Sequence, residues 1–547
     1  MRIFILSIST FLIQIVTIQA QPAGEPIVRP KLVVGIVVDQ MRWDYLYRYY
    51  NMYGNGGFRR LLSEGFSCEN TYINYLPSFT AVGHTCIFTG SVPSISGITG
   101  NDWTEQLTGV HMYCTDDSTT ESVGVSASPD GKMSPRNMLV STITDELRVA
   151  TNFQSRVVGI SLKDRAAILP AGHTANAAFW MDDETGNFIS STYYMKSLPD
   201  AVVRFNKEKR IEKYLQHGWN TLYPIGTYVA SDFDNKPYEG KFPGESSPVF
   251  PHDIKSAYSK NHSIFRFTPY GNSLTLDFAK TLLDAYQLGQ GSTTDFLTIN
   301  CASTDYAGHL FGPNSVEIED VYLRLDQDLA SFFSELDSKI GKGNWLVFLT
   351  ADHGAANAVG YSQEKRIPAD FFVSSNIISS LTQLIQQKFG VSNAIRSGAN
   401  YQINFDLAKI AASNADFEGI KKLAIDYLKT LPSVAYAVDM EKIREASIPE
   451  PIRTMIVNGY NYKRSGQIQV VFQPAWLESY SRTGTTHGTW NPYDTHIPLI
   501  FMGWDIHPGA TANLVHMTDI APTLATLLHI QPPNGNIGTP IVDLLTR

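Results

Sequence analysis

The sequence predicts an α/β protein, with a mainly parallel central sheet flanked by helices and two insertions capping the C-terminal ends of the strands. Three observations carry this expectation. Five short runs are continuously apolar, helical patterns lie between them, and four of the five lead directly into acidic, basic or imidazole side chains. Apolar runs of this length without alternation suit strands covered on both faces, as in a parallel sheet. Hairpin signals are sparse, which sets aside an all-β architecture.

The runs, in chain order, are Leu32–Val38 (LVVGIVV), Val157–Ser161 (VVGIS), Phe296–Asn300 (FLTIN), Trp345–Thr350 (WLVFLT) and Ile497–Gly503 (IPLIFMG). The stretch Asp320–Ile340 and the late DIAPTLATLLHI read as helices. Asp39 follows the first strand, Lys163 and Arg165 the second, Asp305 and His309 the third, and Asp352 and His353 the fourth. Open parallel sheets bind ligands in the crevice beyond the carboxyl ends of their strands. A single carboxylate there means little, but four such strand ends on one rim are a strong signal. Two long stretches, 171–292 and 360–481, interrupt the pattern. Structureless loops of that length are uncommon in compact domains. Both are expected to be caps over the rim. The second reads as a small α+β module with strands in YQINFDL, SVAYAVD and QIQVVFQP.

A chain of 547 residues can bury one large core with additions. Its 43 basic and 52 acidic residues leave a charge of −9, so no basic field draws a nucleic acid duplex. Residues 1–20, MRIFILSISTFLIQIVTIQA, read as a secretory signal cleaved after Ala20, leaving 21–547 as the mature chain. Ser7, Ser9, Thr10, Gln14 and Thr17 make that segment a poor membrane span, so no membrane attachment is expected after cleavage. The expected location is periplasmic or secreted, where disulfides among Cys68, Cys86, Cys114 and Cys301 could persist. No CxxC occurs, so these cysteines read as structural or free rather than as metal ligands, with their pairing open.

Asp39, Asp305, His309, Asp352 and His353, with His487 from GTTHGTW, bring three carboxylates and three imidazoles. Zinc accepts both donor types, and six ligands suffice for two ions. Asp305 and His309 are four apart, which a helical turn places on one face. A DHG tripeptide or a glycine-flanked histidine is unremarkable alone; the joint placement on the rim makes the metal reading. His84, His173 and His496 read as structural. The stretch PSFTAVGHTCIFTG, residues 77–90, looks like a short apolar helix with Ser78 as a reasonable N-cap. Thr80 at its start is expected to be a nucleophile. A threonine hydroxyl needs a base or a metal to activate it, and a helix N-terminus offers N–H groups to an anion.

Asp39, PSFTAVGHTCIFTG, SVPSISGITGN, STDYAGH, TADHG, GTTHG and TDIAPTLATLLHI together resemble the alkaline phosphatase superfamily, from about residue 30 to the C-terminus. SLKDRAAILPAGH is more specific. It resembles the PafA-type phosphate-insensitive alkaline phosphatases, periplasmic monoesterases with a threonine nucleophile and a Lys-x-Arg pair. The resemblance implies the superfamily's α/β sandwich, two zinc ions and phosphoryl transfer through a phosphothreonine. It further implies one zinc on Asp305, His309 and His487, and the other on Asp39, Asp352 and His353 with Thr80 completing the shell. Asn101 would donate to a phosphoryl oxygen, and Lys163 and Arg165 would contact the remaining oxygens. The implied substrates are small-molecule phosphate monoesters, hydrolysed by a monomer. A dianionic monoester concentrates charge on its free oxygens, which two cations and a bidentate guanidinium favour over a diester. Two alternatives stand beside this reading. One is a phosphodiesterase or nucleotide pyrophosphatase of the same superfamily, not expected to carry the Lys-x-Arg pair. The other is an exported metal- or phosphate-binding protein without turnover. A sulfatase would need Cys or Ser converted to formylglycine, which Thr80 cannot supply.

Overall fold

The computed structural model describes residues 28–126, 128–479 and 481–546, so the expected signal segment 1–20 lies outside the described residues. All five expected strands form: β1 (Leu32–Val38), β2 (Val157–Ile160), β3 (Asp295–Cys301), β4 (Trp345–Thr350) and β5 (Leu499–Gly503). They are buried almost throughout, as uninterrupted apolar runs require. They occupy the middle of a ten-stranded sheet in the order β5-β4-β1-β3-β2. The pairs β4-β1, β1-β3 and β3-β2 are parallel, whereas β5 runs antiparallel to β4. The expected α/β fold with a mainly parallel sheet is met.

Helices cover both faces and build one large core. Those that shape the rim are α1 (Thr80–Thr89), α2 (Asp164–Ala171), α3 (Ser303–Phe311) and α4 (Val316–Leu336). The helix expected from Asp320 thus begins four residues earlier, where the Ser315 hydroxyl accepts the Ile318 N–H as N-cap.

The two long stretches differ in kind. The 171–292 stretch begins by extending the central sheet rather than covering it. Ala177–Met181 pairs parallel to β2, and Phe188–Ser191 returns antiparallel to it. The 360–481 stretch has its own four-stranded sheet, Ile395–Ser397, Gln402–Phe405, Ile468–Phe472 and Val434–Asp439. Helices Ser374–Phe389 and Phe417–Leu428 pack on it around a separate core that includes Leu381, Ile385, Phe405 and Ile420. All four cysteines are buried and none is disulfide-bonded; burial pushes the Cys68 thiol up to about 12. Among the described residues no helix is long and apolar enough to cross a membrane.

Candidate active site

Strand register makes the rim. Val38 lies opposite Cys301, Val37 opposite Thr350, and Ile299 opposite Ile160, so the four parallel strands end level with one another. The next residues in each chain segment therefore arrive together: Asp39, Lys163, Asp305 at the start of α3, and Asp352–His353. Because β5 is antiparallel, its beginning meets the end of β4. The loop that precedes β5 thus delivers His487 to the same rim. The N-terminus of α1 brings Thr80 beneath it, with Gly83 so close to the β4 end that a Cβ there would stand 2.5 Å from the Asp352 carbonyl.

Two donor sets result. In the first, Asp305 Oδ1 lies 3.1 Å from His309 Nε2 and 3.8 Å from His487 Nε2. In the second, His353 Nε2 lies 3.4 Å from Asp352 Oδ2, 3.6 Å from Asp39 Oδ1 and 3.5 Å from Thr80 Oγ1. Asp305 adjoins both sets, since it offers an atom within 4.8 Å of Asp39 and His353 as well. Asp39 Oδ1 and Asp352 Oδ2 are buried without a hydrogen-bond partner. A buried anionic oxygen so placed is costly unless a cation meets it. The donor chemistry and these two orphaned oxygens fit divalent metal ions.

The imidazoles repeat one arrangement. His309 turns Nδ1 to the Thr485 carbonyl at 2.9 Å, His353 to the Gly354 carbonyl at 3.0 Å, and His487 to the Ser78 carbonyl at 2.8 Å. Each Nε2 is left facing the cluster. A backbone carbonyl on the far nitrogen fixes the tautomer that presents a lone pair to a metal. Burial, with repulsion from His353 and His309, holds the His487 pKa well below the usual imidazole range. It is therefore neutral. Burial pushes Asp39 up to about 7, reinforced by the neighbouring Asp352 carboxylate. Burial would raise Asp305 too, but His309 and Lys163 overcome it and hold that carboxyl well below its usual range.

The residues expected on the phosphoryl side are placed less uniformly. Asn101 Oδ1 accepts the Ala81 N–H at 3.0 Å, which lays its amide along the start of α1 beside Thr80. Lys163, expected at the phosphoryl oxygens, bridges the two donor sets instead. Its Nζ donates to Asp39 Oδ2 at 2.8 Å and to Asp305 Oδ2 at 2.6 Å. A buried ammonium pairs with the nearest carboxylates when nothing else neutralises them. Arg165 is held by Tyr113, whose hydroxyl accepts from Nη1 at 3.0 Å and donates to Asp164 Oδ1 at 2.9 Å.

A scan against family models matches residues 33–496 to the type I phosphodiesterase / nucleotide pyrophosphatase family. The alkaline phosphatase PafA of Elizabethkingia meningoseptica is 52% identical over 95% of this chain and 95% of its own. The alkaline phosphatase PhoV of Synechococcus elongatus is 51% identical over 96% and 95%. The crystal structure of alkaline phosphatase PafA matches with a TM-score of 0.94 at 51% identity, covering 95% of this chain and 100% of that one. The chain belongs to the alkaline phosphatase superfamily.

Several supports of this superfamily member's rim were not legible in its sequence. Ser78 is not the α1 cap. Phe79 holds that position, and the Ser78 hydroxyl donates instead to the Thr489 carbonyl at 3.1 Å. Gln40 donates from Nε2 to Asp305 Oδ1 at 2.6 Å, and from its backbone N–H to Asp352 Oδ1 at 3.2 Å. Gly308 makes room for that amide, since a Cβ there would lie 2.0 Å from Gln40 Oε1. His84, read as structural, lies one turn below Thr80 and donates from Nδ1 to its carbonyl at 2.9 Å. Asp494 Oδ2 accepts from both the N–H and the hydroxyl of Thr489, which braces the His487 loop. Only the short spacing from Asn491-Pro492 to Asp494 offered a signal for this bracing, as a turn. His173 pairs with Asp145, and His496 stacks between Trp43 and Tyr72, both away from the cluster.

Proposed function

We propose that this protein is an exported alkaline phosphatase, a metal-dependent phosphomonoesterase that acts through a phosphothreonine. The observation that carries the reading is Thr80 Oγ1, held 3.5 Å from His353 Nε2 beside the orphaned oxygens of Asp39 and Asp352. Two zinc ions, one on Asp305, His309 and His487 and one on Asp39, Asp352 and His353, would supply hydroxyl activation and positive charge for the leaving oxygen. The chain's own residues do the rest. Thr80 presents its oxygen to phosphorus from the α1 N-terminus, where the free N–H groups favour an anion. Asn101 donates its amide to one phosphoryl oxygen. Arg165, kept in place by Tyr113, offers a planar pair of N–H groups to the others. Lys163 adds a further positive group within reach of the same centre. The leader at residues 1–20 supports export.

The family name favours a second reading, a phosphodiesterase, which the Lys163–Arg165 pair argues against because a diester has one fewer charged oxygen to engage. Turnover of a phosphate monoester and its methyl diester by the zinc-loaded protein separates the two. The monoester is expected to have the higher kcat/KM. Thr80→Ala is expected to lose roughly 10⁴-fold or more in kcat while retaining phosphate binding. Full hydrolysis by that variant would remove the nucleophile assignment.

A further inference from the structure

A groove of about 500 Å³ opens beside Phe79, the residue that precedes Thr80. Phe79 lines it together with Ile378, Tyr401, Ser374, Asn400 and Glu478 of the 360–481 module. Phe79 and Tyr401, which line the groove, also touch the metal-ligand cluster at His487. The Phe79 ring lies 5.7 Å from the His487 ring at 76°, and 5.7 Å from the Tyr401 ring at 53°. The Tyr401 hydroxyl donates to the His487 carbonyl at 3.2 Å, so one residue both walls the groove and steadies a proposed zinc ligand. Asn400 and Tyr401 hold φ values of 60° and 57°, a backbone region that side-chain-bearing residues enter at a cost. Asn400 Nδ2 donates to the Asp102 carbonyl at 2.8 Å, which pins this turn next to Asn101. The module thus presents a strained turn between the proposed phosphoryl donor and the His487 loop.

We propose that this groove is a leaving-group subsite that takes the flat, uncharged aromatic part of an aryl phosphate monoester. The proposal rests on the phosphomonoesterase reading above. Two tilted aromatic rings and an aliphatic side chain favour a flat apolar group. The Glu478 carboxylate among the lining residues opposes a second phosphate, which sets nucleoside di- and triphosphates aside. The phosphoryl group stays at Thr80 while the alcohol half departs, so contacts in the groove favour only esters large enough to reach it.

The test compares 2-naphthyl phosphate with methyl phosphate on the zinc-loaded wild type, Ile378→Ser and Ile378→Trp. Ile378 is half-buried on the helix Ser374–Phe389, at the margin of the module core rather than within it. Serine removes the apolar surface and tryptophan fills the groove. Both are expected to lower the naphthyl-to-methyl ratio of kcat/KM about tenfold. Calorimetry in a Thr80→Ala background reads binding without turnover and is expected to give the same fall for naphthyl phosphate alone. An unchanged ratio in both variants, with the wild type hydrolysing both esters, overturns the subsite and leaves the phosphomonoesterase reading standing. Failure of the wild type to hydrolyse either ester overturns that reading and the subsite with it.

Discussion

Lys163 is fully buried, with its ammonium between Asp39 and Asp305 and above the Tyr306 ring at 4.9 Å. Arg165, its partner in the proposed dianion contact, reaches the rim from the first turn of α2 and is steadied by Tyr113. If these two groups select the dianion, the double variant Lys163→Ala/Arg165→Ala is expected to lower monoester kcat/KM by about 10²–10³-fold and diester kcat/KM by less. Steady-state rates on the two substrates check it, and equal losses would remove the physical basis for monoester preference. The residue types at this scale were legible because chemistry restricts them jointly: one carboxylate after a strand says little, but carboxylates and imidazoles following several buried strands have few other shared uses. The partners were not. Gln40 and Asp494 are ordinary polar residues in sequence, and their roles come from where unrelated segments meet.

The helix Ile143–Ala150 carries a reciprocal cap in which the Thr142 hydroxyl accepts the Asp145 N–H and Asp145 accepts the Thr142 N–H. Asp145 also ties this helix to the segment after α2 through the backbone N–H groups of His173 and Thr174. Burial would raise its pKa, but hydrogen bonds from His173 and Thr142 lower it to about 2. A carboxyl depressed in the folded state contributes stability above its unfolded pKa near 4, and loses it as pH falls towards 2. Asp145→Asn is therefore expected to cost about 2 kcal/mol at pH 6 and almost nothing at pH 2, read from urea melts of both proteins across that range. Long elements such as β1 and β4 were legible because strands covered on both faces read as apolar runs. Phe66–Cys68, Ser122–Val123 and Gly509–Thr511 join the same sheet with two or three residues each, too few for any period to register. Neither does the antiparallel sense of β5 have a sequence mark, since direction depends on which rim its preceding loop reaches.

Across the whole molecule, the cluster joins segments from residue 39 to residue 487, so cations held there bind the folded chain and not the unfolded one. Removing metal with a chelator is expected to lower Tm by several degrees as well as abolish turnover, with both restored by zinc. Scanning calorimetry with and without zinc measures it, and an unchanged Tm would argue that the orphaned oxygens of Asp39 and Asp352 need no cation. The buried, unbonded cysteines give a second global expectation. A thiol reagent should find none accessible in the native protein and four after denaturation without reductant.

The sequence by itself determined the class of fold and singled out the candidate donor groups and Thr80, because burial and ligand chemistry each restrict residue type. Only the tertiary structure decided how they combine. It set Asp305 against both donor sets, drew Lys163 between two carboxylates, and brought the Phe79 flank against a strained turn of the 360–481 module. Those arrangements depend on strand register and on contacts between residues hundreds of positions apart, which no local pattern encodes.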